Sequence, residues 1–193
     1  MPESQSTQEG VIQEITTLMS RVSAIDETLI VRAYQFASET LKGRIRKSGE
    51  PYILHSIETA KTIASWKLPA IVVVAGLLHS TIGGGTATDT SIKENFGQEI
   101  LSLVKGARNL TDIHYKGLAQ HAEDLRRFFI AFTKDLRIIF IAFAHRLHSM
   151  SVLNKRSEED QIQVARETLE IYAPLANRLS MGRVKVQFET LAF

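Results

Sequence analysis

Three histidines stand where helical patterning and apolar neighbours would carry them inward. His55 follows Pro51-Tyr52-Ile53-Leu54, His79 closes the apolar run Ala70 to Leu78, and His145 lies within Phe143-Ala144-His145-Arg146-Leu147. Taken singly, each reads as a core histidine satisfied by a neighbour's hydrogen bond. Taken together, they can present three imidazoles to one cation with a fourth position open, as at catalytic zinc. Imidazole suits zinc, iron or nickel, whereas manganese favours oxygen donors. His79 is succeeded by Ser80 and then by Thr81-Ile82-Gly83-Gly84-Gly85. A serine brings no negative charge, and a glycine cannot take a proton in general base catalysis.

The one concentrated positive feature is Lys42, Arg44, Arg46 and Lys47. Such a run is either a solvated face or an anion site, and Arg46 could stack on a base or pair with phosphate. His145 and His148 are three residues apart and so occupy neighbouring helical faces; either can hydrogen-bond within a core. His114 and His121 fall in a polar stretch and are assigned no role.

The elements that must position these residues read as helices. Apolar residues recur at helical spacing over Val11 to Met19, Ile30 to Ala37 and Ser56 to Trp66. Gly43 is expected to end the second of these, and Ser48-Gly49-Glu50-Pro51 reads as a turn, with a new helix from near His55. Pro69 opens Ala70 to Leu78, which is apolar on every side and predicts a buried central helix. The β-branched run Ile71 to Val74 also suits a strand, but no strand-like partner is evident. The triple glycine is expected to be a loop, followed by a short helix toward Asn95 and another from Phe96 to Val104 ending near Gly106. Asp124 to Thr133, Leu136 to Leu153, Glu158 to Tyr172, Ala173 to Leu179 and Val184 to Leu191 complete an all-α fold of roughly ten helices.

Composition bounds the rest. With 193 residues, 44% hydrophobic and 23% charged, the chain fits one globular domain. Residues 1–10 are expected to be a disordered polar N-terminus and 11–193 the domain. The run Ile138 to Ala144 is too short to span a bilayer, which takes about 20 residues, and the N-terminus lacks a signal-peptide pattern. A cytoplasmic protein without membrane contact is the expectation. A net charge of +2 gives no argument for nucleic acid, and the absence of cysteine excludes disulfides and thiolate metal sites.

Four ordered stretches resemble consecutive motifs of the RelA/SpoT homologue family. They are Arg46-Lys47-Ser48-Gly49-Glu50-Pro51-Tyr52-Ile53-Leu54-His55, Ala75-Gly76-Leu77-Leu78-His79, Ala144-His145-Arg146-Leu147-His148-Ser149-Met150, and Glu167-Thr168-Leu169-Glu170-Ile171-Tyr172-Ala173-Pro174-Leu175-Ala176-Asn177-Arg178-Leu179. The resemblance implies the family's N-terminal HD hydrolase domain, which removes the 3′-pyrophosphate of ppGpp with a manganese ion. It implies metal ligands at His55, His79, Ser80 and His145, where Ser80 and His145 replace aspartates. It also implies a Glu-Asp pair where Gly83 and Gly84 stand. Arg46 and Lys47 match a basic pair beside the nucleotide, while Ser149 replaces an asparagine and Val152 a threonine of the pocket. Arg146, His148 and Arg178 match as well, with structural roles equally open to them. The expectation is therefore a degenerate hydrolase domain with no intact catalytic set, acting as a regulatory module. Its partner would be a synthetase domain following in a longer chain. Alternatives are a hydrolase with an altered, zinc-like metal at His55, His79 and His145, and a metal-free sensor of guanosine polyphosphate.

Overall fold

The computed structural model describes residues 2–111, 126, 128, 130, 131 and 133–193. In order the helices are α1 (Pro2–Leu18), α2 (Ala24–Thr40), α3 (Tyr52–Ser65), α4 (Ala70–Leu78), α5 (Thr81–Gly84), α6 (Asp89–Thr111), α7 (Leu136–Ser151), α8 (Glu158–Glu167), α9 (Ala173–Arg178) and α10 (Gly182–Ala192). A 3₁₀ turn, Leu153–Lys155, follows α7, and a π-helical segment, Thr168–Tyr172, joins α8 to α9 without a break. With α8 to α9 taken as one run and α5 as a single turn, the described residues form eight helices where the sequence suggests roughly ten. Among them the only β pairing is an isolated bridge between Ile45 and Pro51. The helix expected over Asp124 to Thr133 falls mostly outside the described residues, as do His114 and His121.

α4 is the axis of the fold. Eight of its nine residues are buried, and it packs among α2, α3, α6 and α7. That burial on all sides outweighs the β preference of Val72, Val73 and Val74, each side chain contributing roughly 1.5–3 kcal/mol. α3 and α4 approach closely because position 76 carries no Cβ: one placed there would lie 2.5 Å from Ile63 Cδ1 and 3.5 Å from Ala60 Cα.

Caps fix where helices begin. Ser23 and Asp26 form a reciprocal capping box on α2, Asp135 accepts from the Arg137 amide at the start of α7, and Ser157 accepts from the Asp160 amide on α8. α3 starts at Tyr52, three residues before the expected point near His55. α1 starts at Pro2, inside the polar stretch 1–10, with proline in a position that needs no amide donor.

Two glycines act differently from their sequence reading. Gly106 is not the end of α6, which runs on to Thr111; a Cβ there would lie 2.3 Å from Ile138 Cδ1, so the glycine lets α6 and α7 touch. The expected loop at the triple glycine is partly a helical turn, but Ile82 (ψ 122°) and Gly83 (φ 83°, ψ −37°) leave helical geometry within it. Among the described residues no helix is long and apolar enough to cross a membrane.

Candidate functional site

The first turn of α3 places His55, the end of α4 places His79, and α7 brings in His145. Their nitrogens converge in a small triangle. His55 Nε2 lies 3.2 Å from His79 Nε2 and 2.9 Å from His145 Nδ1, and His79 Nε2 lies 3.0 Å from His145 Nδ1. Partners set the tautomers. His79 Nδ1 stands 2.7 Å from the Gly76 carbonyl, which can only accept, so that nitrogen carries the proton and Nε2 points a lone pair inward. Ser80 Oγ lies 2.9 Å from this same Nε2.

A second chain of hydrogen bonds orients His55. Its Nδ1 lies 2.8 Å from His148 Nδ1, while His148 Nε2 faces the Glu50 carboxylate at 3.5 Å. With the one proton of neutral His148 on Nε2, facing Glu50, His148 Nδ1 accepts from His55 Nδ1, and the His55 Nε2 lone pair faces the triangle. Glu50 is itself held by Arg46 Nη1 at 3.2 Å, and Arg46 Nη2 donates to Ser149 Oγ at 2.9 Å. The turn that delivers these groups is closed by the Arg46 amide donating to the Glu50 carbonyl at 2.8 Å and by the Ile45–Pro51 bridge.

Burial keeps the histidines neutral. His79 is pushed down to about 4, burial outweighing its bond to the Gly76 carbonyl. Burial and then the neighbouring imidazoles hold His55 and His145 well below the ordinary histidine value. His148 is also lowered by burial, against the attraction of Glu50. Two lone pairs, on His55 and His79, thus stand 3.2 Å apart, and only a proton on His145 Nδ1 or a cation can lie between the three nitrogens.

The donor set decides which cation fits. Nitrogen separations of 2.9–3.2 Å are near the roughly 3.3 Å between ligands of a tetrahedral ion with 2.0–2.1 Å bonds. This group contains no carboxylate among the described residues. Three neutral imidazoles suit zinc or nickel and do not fit manganese, which prefers oxygen.

His79 and His145 open onto a cavity of about 550 Å³. Arg46, Lys47, Arg108 and Arg156 line it, with Asp160 and Glu167 as its carboxylates among the described residues. Glu167 is engaged elsewhere: it pairs with buried Arg146 at 3.0 Å, and that guanidinium lies 4.2 Å over the Tyr172 ring.

Of the expected site residues, His55, His79 and His145 come together with Ser80 beside them, and Gly83 and Gly84 line the cavity. Arg46 is buried and Lys47 is exposed at the rim. Ser149 stands behind Arg46 as its acceptor. Sequence reasoning assigns no site role to Glu50, Arg108 or Arg156 and leaves His148 open to a core role. The repeat of histidine at 145 and 148 is the available signal for the last.

The sequence profile of the HD domain family matches residues 33–182. A GTP pyrophosphokinase of Myxococcus xanthus is 41% identical over 172 residues, which are 87% of this chain and 23% of that protein. A probable guanosine-3′,5′-bis(diphosphate) 3′-pyrophosphohydrolase of Synechocystis is 40% identical over 166 residues, 86% of this chain and 22% of that protein. The chain thus spans less than a quarter of the length of these relatives. Among solved structures, a metazoan orthologue of SpoT that hydrolyses ppGpp aligns with a TM-score of 0.65 at 16% identity, covering 89% of this chain and 96% of that one. At that identity it shows the fold.

Proposed function

We propose, from the premise that this chain belongs to the HD domain family and is an HD domain of RelA/SpoT type, that it no longer hydrolyses ppGpp with manganese and serves as a regulatory module. The observation that carries this reading is the triangle of three neutral imidazole nitrogens without a carboxylate, beside a glycine pair that can take no proton. The cavity of about 550 Å³ is lined by Arg46, Lys47, Arg108 and Arg156, so a guanosine polyphosphate is the ligand we assign to it. In a longer protein, occupancy of that cavity would bias a following synthetase domain through differential affinity for two packing states. Incubation of the purified chain with ppGpp and manganese tests the first point. No pyrophosphate release is expected; release that disappears on His79→Ala would overturn the reading.

A second reading has one observation in its favour, the convergence of the same three nitrogens. His55, His79 and His145 would hold a zinc-class ion, which when bound polarises phosphoryl oxygen and acidifies water. The chain's own part would be orientation: Gly76 and His148 fix the imidazole tautomers. Metal analysis of the purified protein separates the readings, since stoichiometric zinc lost on His145→Ala, with pyrophosphate release restored by zinc, supports the second alone.

A further inference from the structure

The rim of the cavity holds an arrangement that the histidine floor does not explain. A Cβ built on Gly83 would lie 2.5 Å from Arg108 Nη2, 2.6 Å from its Cζ and 3.0 Å from Nη1. The Arg108 guanidinium therefore occupies the space a side chain at position 83 would fill, and glycine is what admits it. Arg156 lines the same cavity with its Nε buried and without a hydrogen-bond partner. Arg156 is also close enough to Arg46 that its charge, after burial itself, lowers the Arg46 pKa. Cations set near one another around a cavity repel, and an anion between them relieves that repulsion.

We propose that Arg108 and Arg156, with Arg46, form a metal-independent seat for a pyrophosphate group. Guanidinium forks match phosphate oxygens in pairs, and the orphan Nε of Arg156 supplies a donor that no protein group uses. Arg108 then does by direct contact part of what a metal cation does elsewhere: it offsets phosphate charge where Gly83 leaves no carboxylate to repel it. The seat rests on the reading of the cavity as a polyphosphate site, but it names which side chains hold the group and removes the need for a divalent ion. The same chemistry is presented by free inorganic pyrophosphate and by the diphosphate of a nucleotide.

Calorimetric titration of the whole chain with sodium pyrophosphate, and separately with ppGpp and with guanosine, all in EDTA, tests it. Saturable binding of pyrophosphate is expected without metal, weakened about tenfold or more by Arg108→Ala and by Arg156→Ala, the loss of a charge-assisted hydrogen bond. Gly83→Ala, which crowds Arg108 without removing it, should weaken binding in the same direction. Tighter binding of ppGpp than of pyrophosphate, with no binding of guanosine, would assign the seat to a nucleotide's diphosphate. Equal binding of the two would assign it to the free anion. If both alanine variants fold, judged by unchanged thermal transitions, and bind pyrophosphate like the parent, the seat is wrong. Binding seen only after a divalent cation is added would also overturn it. Neither result bears on manganese-dependent hydrolysis, which pyrophosphate release from ppGpp reads separately.

Discussion

At and beneath the floor of the cavity, His79 and His145, with His55 buried behind them, hang from α4, α7 and α3, whose other faces build the core. At the rim, Gly83 and Gly84 come from a single turn, Arg108 from the last turn of α6, and Arg156 from the residue after a 3₁₀ turn. The floor's imidazoles are fixed by packing and by a carbonyl and a carboxylate behind them. The rim is held locally instead: Gly83 keeps a positive φ that favours glycine and leaves room for the Arg108 guanidinium. A change at the rim therefore strains one turn, whereas a change at the floor disturbs the helices that meet there.

The largest effect should come from the buried pair between floor and rim. Glu167→Gln leaves the Arg146 guanidinium, 6% exposed, without its counter-charge. A loss of about 3–5 kcal/mol in urea unfolding is expected; a loss below about 1 kcal/mol would mean that the Tyr172 ring alone holds that charge.

Acid should act on the floor next. In EDTA, the unfolded chain takes up a proton near pH 6.5 that folded His79, at about 4, refuses. Stability is then full above about pH 6.5 and falls as pH drops toward 4, by about 3 kcal/mol for this residue. His79→Gln should reduce that slope in a urea series between pH 4 and 7, leaving the part due to His55, His145 and His148. An unchanged slope would assign the acid sensitivity to other groups.

Legibility in the sequence divides along the same line. The apolar period of α3, the all-round burial of α4 and the inward histidines could be read because helical spacing and local burial are properties of neighbouring residues. The RelA/SpoT-type motifs carry the fold in the same way, as runs of neighbouring residues. The rim is legible only in part: Gly83, Gly84 and Lys47 can be read from the motifs but not their partners, because Arg108 meets Gly83 across 25 positions of chain, as Arg146 meets Glu167 across 21. Gly106 is ambiguous in sequence for a related reason: a glycine that ends a helix and one that admits Ile138 look alike without the partner helix.

Placing an acid on the rim should cost less than breaking the floor, and no turnover is expected of it. Gly83 sits at φ 83°, ψ −37°, a conformation L side chains adopt at a cost of roughly 1–3 kcal/mol. In Gly83→Asp the new carboxylate also meets the Arg108 guanidinium, which would hold it as an ion pair rather than leave it as a base. Thermal melting should show the destabilisation, and ppGpp with manganese should yield no pyrophosphate. Turnover by this single variant would show that the floor had kept a competent metal site.

The smallest effect separates charge from burial within the rim itself. Lys47 is exposed, whereas neighbouring Arg46 is 7% exposed and bonded to Glu50 and Ser149. Lys47→Ala should leave stability within about 0.5 kcal/mol, because an exposed charge is screened and has no buried partner to orphan. With the ammonium in solvent, any loss of pyrophosphate affinity should be a fewfold at low salt and vanish at high ionic strength. A salt-resistant loss would instead place the Lys47 ammonium in direct contact with the anion and extend the seat from the cavity wall to its mouth.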